Sequence, residues 1–127
     1  MLTKSMTTTM LPVSNVDRAS RFYGETLGLH ARATGADGSR IFDAGNGDAI
    51  GPMPAEAGAQ TGHTVLSFEV ADVANEIRDL ESRGVRSADY DLPDLKTVDH
   101  VAELGHEKAA WFSDSEGNVL CIHQVTD

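Results

Sequence analysis

FDAGNGDAI (42–50) and FSDSEGNVL (112–120) are the stretches on which the fold turns. Phe42, Gly47 and Ile50 of the first recur as Phe112, Gly117 and Leu120 of the second, each pair 70 residues apart. In both, an apolar run stops at a cluster of Gly, Asn, Asp and Ser and then resumes, the pattern of a hairpin whose turn needs positive φ. Working back along the chain, Val13-Ser14-Asn15-Val16 recurs as Val70-Ala71-Asp72-Val73, 57 residues on. A duplicated unit dictates architecture before any single motif does. Because the two spacings differ, the second copy carries extra chain, which falls at about 89–107.

Each copy reads alike. An alternating run (7–13; 63–70) predicts a strand with one buried face. Asn15 and Asp72 then cap a helix, each offering a side-chain oxygen to an unpaired N–H of the first turn. Val16, Ala19, Phe22, Tyr23 and Leu27 recur at helical spacing in the first copy, and Val73, Ile77 and Leu80 in the second. Gly28 and Gly84 suit the left-handed residue that closes a helix. Three further strands are predicted in each copy: 30–34, 39–43 and 48–53, then 86–90, 108–113 and 118–124. The fold class that follows is α+β, one domain over 1–127 built of two tandem βαβββ modules, at about 6–56 and 62–126.

A 40% apolar and 24% charged composition is that of an ordinary globular chain, and no apolar run approaches the roughly 20 residues of a membrane span. The first ten residues hold no apolar signal core, and the single cysteine, Cys121, makes no internal disulfide; both point to the cytoplasm. Twenty acidic against ten basic residues give a net charge of −10, which repels nucleic acid and anionic membrane surfaces while attracting cations.

The motifs LPVSNVDRASRFYGETLGL (11–29), VADVANEIRDLESRGV (70–85) and AWFSDSEGNVLCIHQ (110–124) resemble those of the vicinal oxygen chelate superfamily. That superfamily includes glyoxalase I, bleomycin-resistance and fosfomycin-resistance proteins and extradiol dioxygenases. The resemblance implies a curled mixed sheet around a concave cavity, a homodimer, and often one divalent metal held from the first and last strands of each module. Those strand positions fall here on Thr8, Val65, Gly51 and Cys121, none a strong set of ligands. His63 lies two residues before Val65, and a two-residue gap would bring it to the position. A divalent metal is therefore not expected at the usual places, and the cofactor is left unassigned.

Strand alternation gives an independent view of the cavity. With Leu11, Val13, Leu66, Phe68, Val70, Leu120 and Ile122 turned toward the helices, the opposite face carries Thr8, Met10, Gly51, Met53, His63, Val65, Ser67, Glu69, Cys121 and His123. Thr8, Met10, Met53, His63, Ser67, Trp111, Cys121 and His123 are the candidate ligand-binding residues. His63, His123 and Glu69 are the candidates for catalysis, since imidazole exchanges protons near neutral pH. The sequence reading is thus a protein that binds a small organic molecule without the usual metal. A glyoxalase- or isomerase-type enzyme using His63 or His123 is the alternative, and an extradiol-dioxygenase-like iron enzyme using His63, His123 and Glu69 is a second one. The long connection at 89–107 is read either as a cover for the cavity mouth or as a surface excursion or dimer contact.

Overall fold

The computed structural model describes residues 1–34 and 40–126. They form two compact units, one of residues 1–62 together with Ser115–Asn118, the other of His63–Asp114 and the chain from Val119 on.

In the first unit β1 (Thr8–Val13) leads into α1 (Val16–Arg21), followed by β2 (Ala31–Thr34), β3 (Arg40–Asp43) and β4 (Ala49–Pro54). The four strands make one sheet in the order β1-β4-β3-β2, with β1 parallel to β4 and the other pairs antiparallel. Of the strand predicted at 39–43, residue 39 lies outside the described residues. Asn15 caps α1 as expected, its Oδ1 accepting the Arg18 N–H at 2.9 Å. The helix does not run on regularly to Leu27: Phe22–Thr26 is a π-turn, with Leu27 N–H bonded to the Phe22 carbonyl at 2.9 Å. The wider turn keeps Tyr23 fully buried against Phe42, ring centroids 6.3 Å apart. Gly28, at φ 75°, then closes the helix, and Leu29 N–H reaches back to the Tyr23 carbonyl at 3.0 Å.

The second unit repeats the plan with β5 (Thr64–Glu69), α2 (Val73–Ser82), β8 (Ala102–Leu104), β9 (Glu107–Ser113) and β10 (Val119–Val125), in the sheet order β5-β10-β9-β8. Asp72 caps α2 through the Asn75 N–H at 3.1 Å. Val73, Ile77 and Leu80 are buried, and α2 packs on β9 and β10.

A further expectation fails. Residues 86–90 are not a strand; Ala88 only donates its N–H to the Trp111 carbonyl at 2.7 Å. The strand that fills this place in the sheet is β8, from within the extra chain, preceded by a small hairpin of β6 (Asp91–Leu92) and β7 (Leu95–Lys96). Ala102 and Leu104, a three-residue strand bounded by Gly105, offer too short an alternation to register as a strand in the sequence.

The duplication is visible in the strand register. Met10↔Gly51, Leu11↔Pro52 and Pro12↔Met53 in the first sheet match Ser67↔Cys121, Phe68↔Ile122 and Glu69↔His123 in the second. The two spacings read from the sequence, 57 and 70, relate every one of these pairs. The match ends at a bulge: Val119 pairs with Thr64 and Leu120 with Leu66, so β5 has one extra residue there.

Candidate functional site

Each sheet buries one face under its helix and presents the other. In the first unit Leu11 and Val13 lie 1% and 0% exposed on the helix face, which sends Thr8, Met10 and Pro12 to the opposite side. Met10, Gly51 and Ile41 meet there, and Met53, the register partner of Pro12, shares the face. A side chain on Gly51 would come within 3.0 Å of both the Met10 sulfur and the Ile41 Cδ1. Gly51 is thus the floor on which Met10 and Ile41 rest, and this face is apolar.

The corresponding face of the second unit is polar. Ser67 and Glu69 project from β5, Cys121 and His123 from β10, and Trp111 from β9, where it is the register partner of Cys121. The Ser67 Oγ lies 2.6 Å from His123 Nδ1. On the other side of the ring, His123 Nε2 is 3.7 Å from the Glu69 carboxylate. In the tautomer with its proton on Nε2, toward the Glu69 carboxylate, the ring accepts the Ser67 O–H at Nδ1. The Cys121 thiol is buried and donates to the Ile122 carbonyl at 3.4 Å; burial pushes its pKa up, the nearby Ser67 hydroxyl opposes that in part, and Glu107 adds negative charge. Trp111 is held edge-on by Tyr90, ring centroids 5.5 Å apart at 86°.

The structure therefore brings together Ser67, Glu69, Trp111, Cys121 and His123. Thr8, Met10 and Met53 lie on the first unit's apolar face. His63 is not part of the strand: it occupies an exposed bend just before β5, and the bulge shifts the register by one residue, not by the two that would carry it to the ligand position. Among the described residues no three His, Cys, Asp or Glu side chains converge on a point where an ion could sit. Glu69 and His123 alone fall short of the three or four ligands a catalytic divalent ion requires, so this donor set does not fit the metal implied by the resemblance.

Sequence reasoning missed three features. The first is Glu116, whose side chain is fully enclosed and accepts Arg18 Nε at 2.6 Å, Arg18 Nη2 at 3.0 Å and the Asn15 N–H at 3.1 Å. The Arg18 hydrogen bond, opposed in part by burial, takes its pKa from 4.5 down to about 2. Glu116 lies in a turn, and nothing in its neighbourhood along the chain announces a partner 98 residues away. The second is Tyr90, visible only as one aromatic residue in a polar stretch. The third is a cleft of about 750 Å³ on the helix side of the second unit, between the start of α2 and the extra chain, with Lys96, Val98, Glu103 and Lys108 among its walls. The extra chain thus lines a cleft on the side away from His123, while Tyr90 at its start supports Trp111. No helix among the described residues is long and apolar enough to cross a membrane.

Known proteins agree with this architecture. A solved member of the glyoxalase/bleomycin resistance protein/dioxygenase superfamily from Sphaerobacter thermophilus superposes with a TM-score of 0.76 at 19% identity, covering 98% of this chain and 99% of that one. TnmS3, an antibiotic binding protein from Streptomyces sp. CB03234, does so with 0.71 at 23% identity over 99% of both chains. Lactoylglutathione lyase from Agrobacterium tumefaciens gives 0.66 at 16% identity, covering 95% and 93%. At such identities these structures speak for the fold alone, and no curated protein matches the sequence. The family model for the Glyoxalase/Bleomycin resistance protein/Dioxygenase superfamily, however, matches residues 5–122, both modules together, and on that match the chain belongs to this superfamily.

Proposed function

We propose that the chain binds a small organic molecule on the sheet face of its second module, as a bleomycin-resistance-like protein without the superfamily's usual metal site. The observation that carries this reading is the make-up of that face. Trp111 supplies apolar surface beside Ser67 and His123, whose polar atoms are already ordered by their 2.6 Å hydrogen bond. Apolar walls with a few directed polar groups are what retain small ligands. That TnmS3, at 23% identity, is described as an antibiotic binding protein supports the same reading. Glu69 and Glu107 on this face, and the net charge of −10, favour neutral or cationic ligands over anions. The proposal extends to a homodimer, by resemblance, and to the cytoplasm, from the single cysteine.

The test uses Trp111, the only tryptophan. Its fluorescence is followed while a panel of bleomycin-type and aromatic antibiotics is titrated into protein purified without a chelating tag and checked for metal by elemental analysis. Saturable quenching in metal-free protein, weakened in H123L, is the expected result. Stoichiometric bound metal, or no response across the panel, refutes the reading. A glyoxalase- or isomerase-type enzyme with His123 as base draws on the same hydrogen bond and would show as turnover lost in H123L.

A further inference from the structure

Three polar side chains stand in line on the second module's sheet: the Ser67 hydroxyl, the His123 imidazole and the Glu69 carboxylate. The hydroxyl-to-Nδ1 distance of 2.6 Å is that of a nucleophile and its base, and the Glu69 carboxylate stands 3.7 Å from Nε2 on the opposite side of the ring. We infer that Ser67, His123 and Glu69 form a nucleophile, base and orienting acid that transfer acyl groups from neutral or cationic carboxylic esters carrying an aromatic or apolar part.

The surroundings argue for the hydroxyl as the attacking atom. Cys121, the neighbouring thiol, is buried and bonded to the Ile122 carbonyl at 3.4 Å, and burial keeps it protonated, whereas Ser67 is exposed. β5 is the edge strand of its sheet, and Val70 N–H points to β10, bonding the His123 carbonyl at 2.8 Å. Alternation along the strand therefore turns the Ser67 N–H to the outer edge, next to its own Oγ, where a carbonyl oxygen could receive it as negative charge develops. Trp111, in register with Cys121, supplies an aromatic wall. Glu69 and Glu107 on this face discourage anionic esters.

The step balances without any further reactant than water. Ser67 Oγ attacks the ester carbon and its proton passes to His123 Nδ1. The ester C–O bond breaks, and the leaving oxygen takes that proton and departs as the alcohol. Water then attacks the acyl-serine, giving its proton through Nδ1 back to Ser67 Oγ and releasing the carboxylic acid. His123 is the catalytic base; Glu69 is a positioning residue.

The inference rests on this face being open to small molecules, and its test is arranged to fail separately from the binding reading. The full chain is incubated with diisopropyl fluorophosphate, whose phosphorus is attacked by an activated serine with loss of fluoride, and the adduct is located by intact-mass and peptide analysis. One adduct on Ser67 is expected, absent in S67A and formed at least ~10²-fold more slowly in H123Q. E69Q, an exposed change that leaves the strand intact, should slow labelling by about tenfold and E69D restore part of it, which a merely structural Glu69 would not do. No adduct on Ser67, or equal labelling rates in wild type, H123Q and E69Q, overturns the inference. Quenching of Trp111 by the antibiotic panel in wild-type protein, with no ester or fluorophosphate present, reports on the binding reading alone.

Discussion

Replacing Glu116 by Gln tests the most heavily bonded carboxylate of the first unit. The native group titrates at about 2 instead of 4.5, the Arg18 hydrogen bonds being the main cause. A drop of that size corresponds to roughly 3 kcal/mol by linkage, and the half-exposed Arg18 partner, screened by water, reduces it to about 1–2 kcal/mol. The sign follows from the lowered value: the carboxylate is ionised in the folded chain at pH values where it is protonated in the unfolded one. Its stabilisation is complete above about pH 4.5 and disappears as pH falls toward 2. Urea unfolding of wild type and E116Q should therefore separate by about 0.5–1 M in midpoint at pH 7, given a slope of roughly 2 kcal/mol per molar, and converge at low pH. Equal midpoints at pH 7, or a gap that persists undiminished at pH 2.5, refutes the assignment.

Leu120, 0% exposed under α2, should cost about 2–5 kcal/mol as L120A in the same assay. G51V, which drives new methyl groups into Met10 and Ile41, should cost about 1–3 kcal/mol, whereas G51A should cost less because both neighbours are ends of flexible side chains. Cys121, buried and with its pKa raised, should resist a thiol-specific disulfide reagent in native protein at pH 8 and react at once in urea, as optical thiol counting would show. Removing the edge-on ring with Y90A should shift the Trp111 emission and lower stability by about 0.5–1.5 kcal/mol beyond the area lost.

Much of this molecule was legible along the chain because its signals are local. The caps at Asn15 and Asp72, the closing glycines and the two hairpin turns each depend on residues a few positions apart, and the repeat spacing of 70 made Gly51 the counterpart of Cys121, positions that the strand registers also match. Alternation placed Ser67, Glu69, Cys121 and His123 on one face for the same reason. What alternation cannot supply is the point where a strand begins or slips. His63 fell outside β5, and a bulge at Val119/Leu120 altered the local pairing. β8 was hidden because a three-residue edge strand draws its stability from pairing with β9 and not from its own pattern. Glu116 was hidden because an ion pair spanning 98 residues leaves no mark in sequence spacing.

The central claim is that ligands meet the chain on the sheet face of the second module. The most direct measurement is a two-dimensional ¹H–¹⁵N spectrum recorded through a titration with the strongest binder of the antibiotic panel. Saturable shifts centred on the amides of Ser67, Cys121 and His123 and on the Trp111 indole N–H are expected. Shifts centred instead on Asp72, Lys96, Val98 and Lys108, around the cleft beside α2, would contradict it.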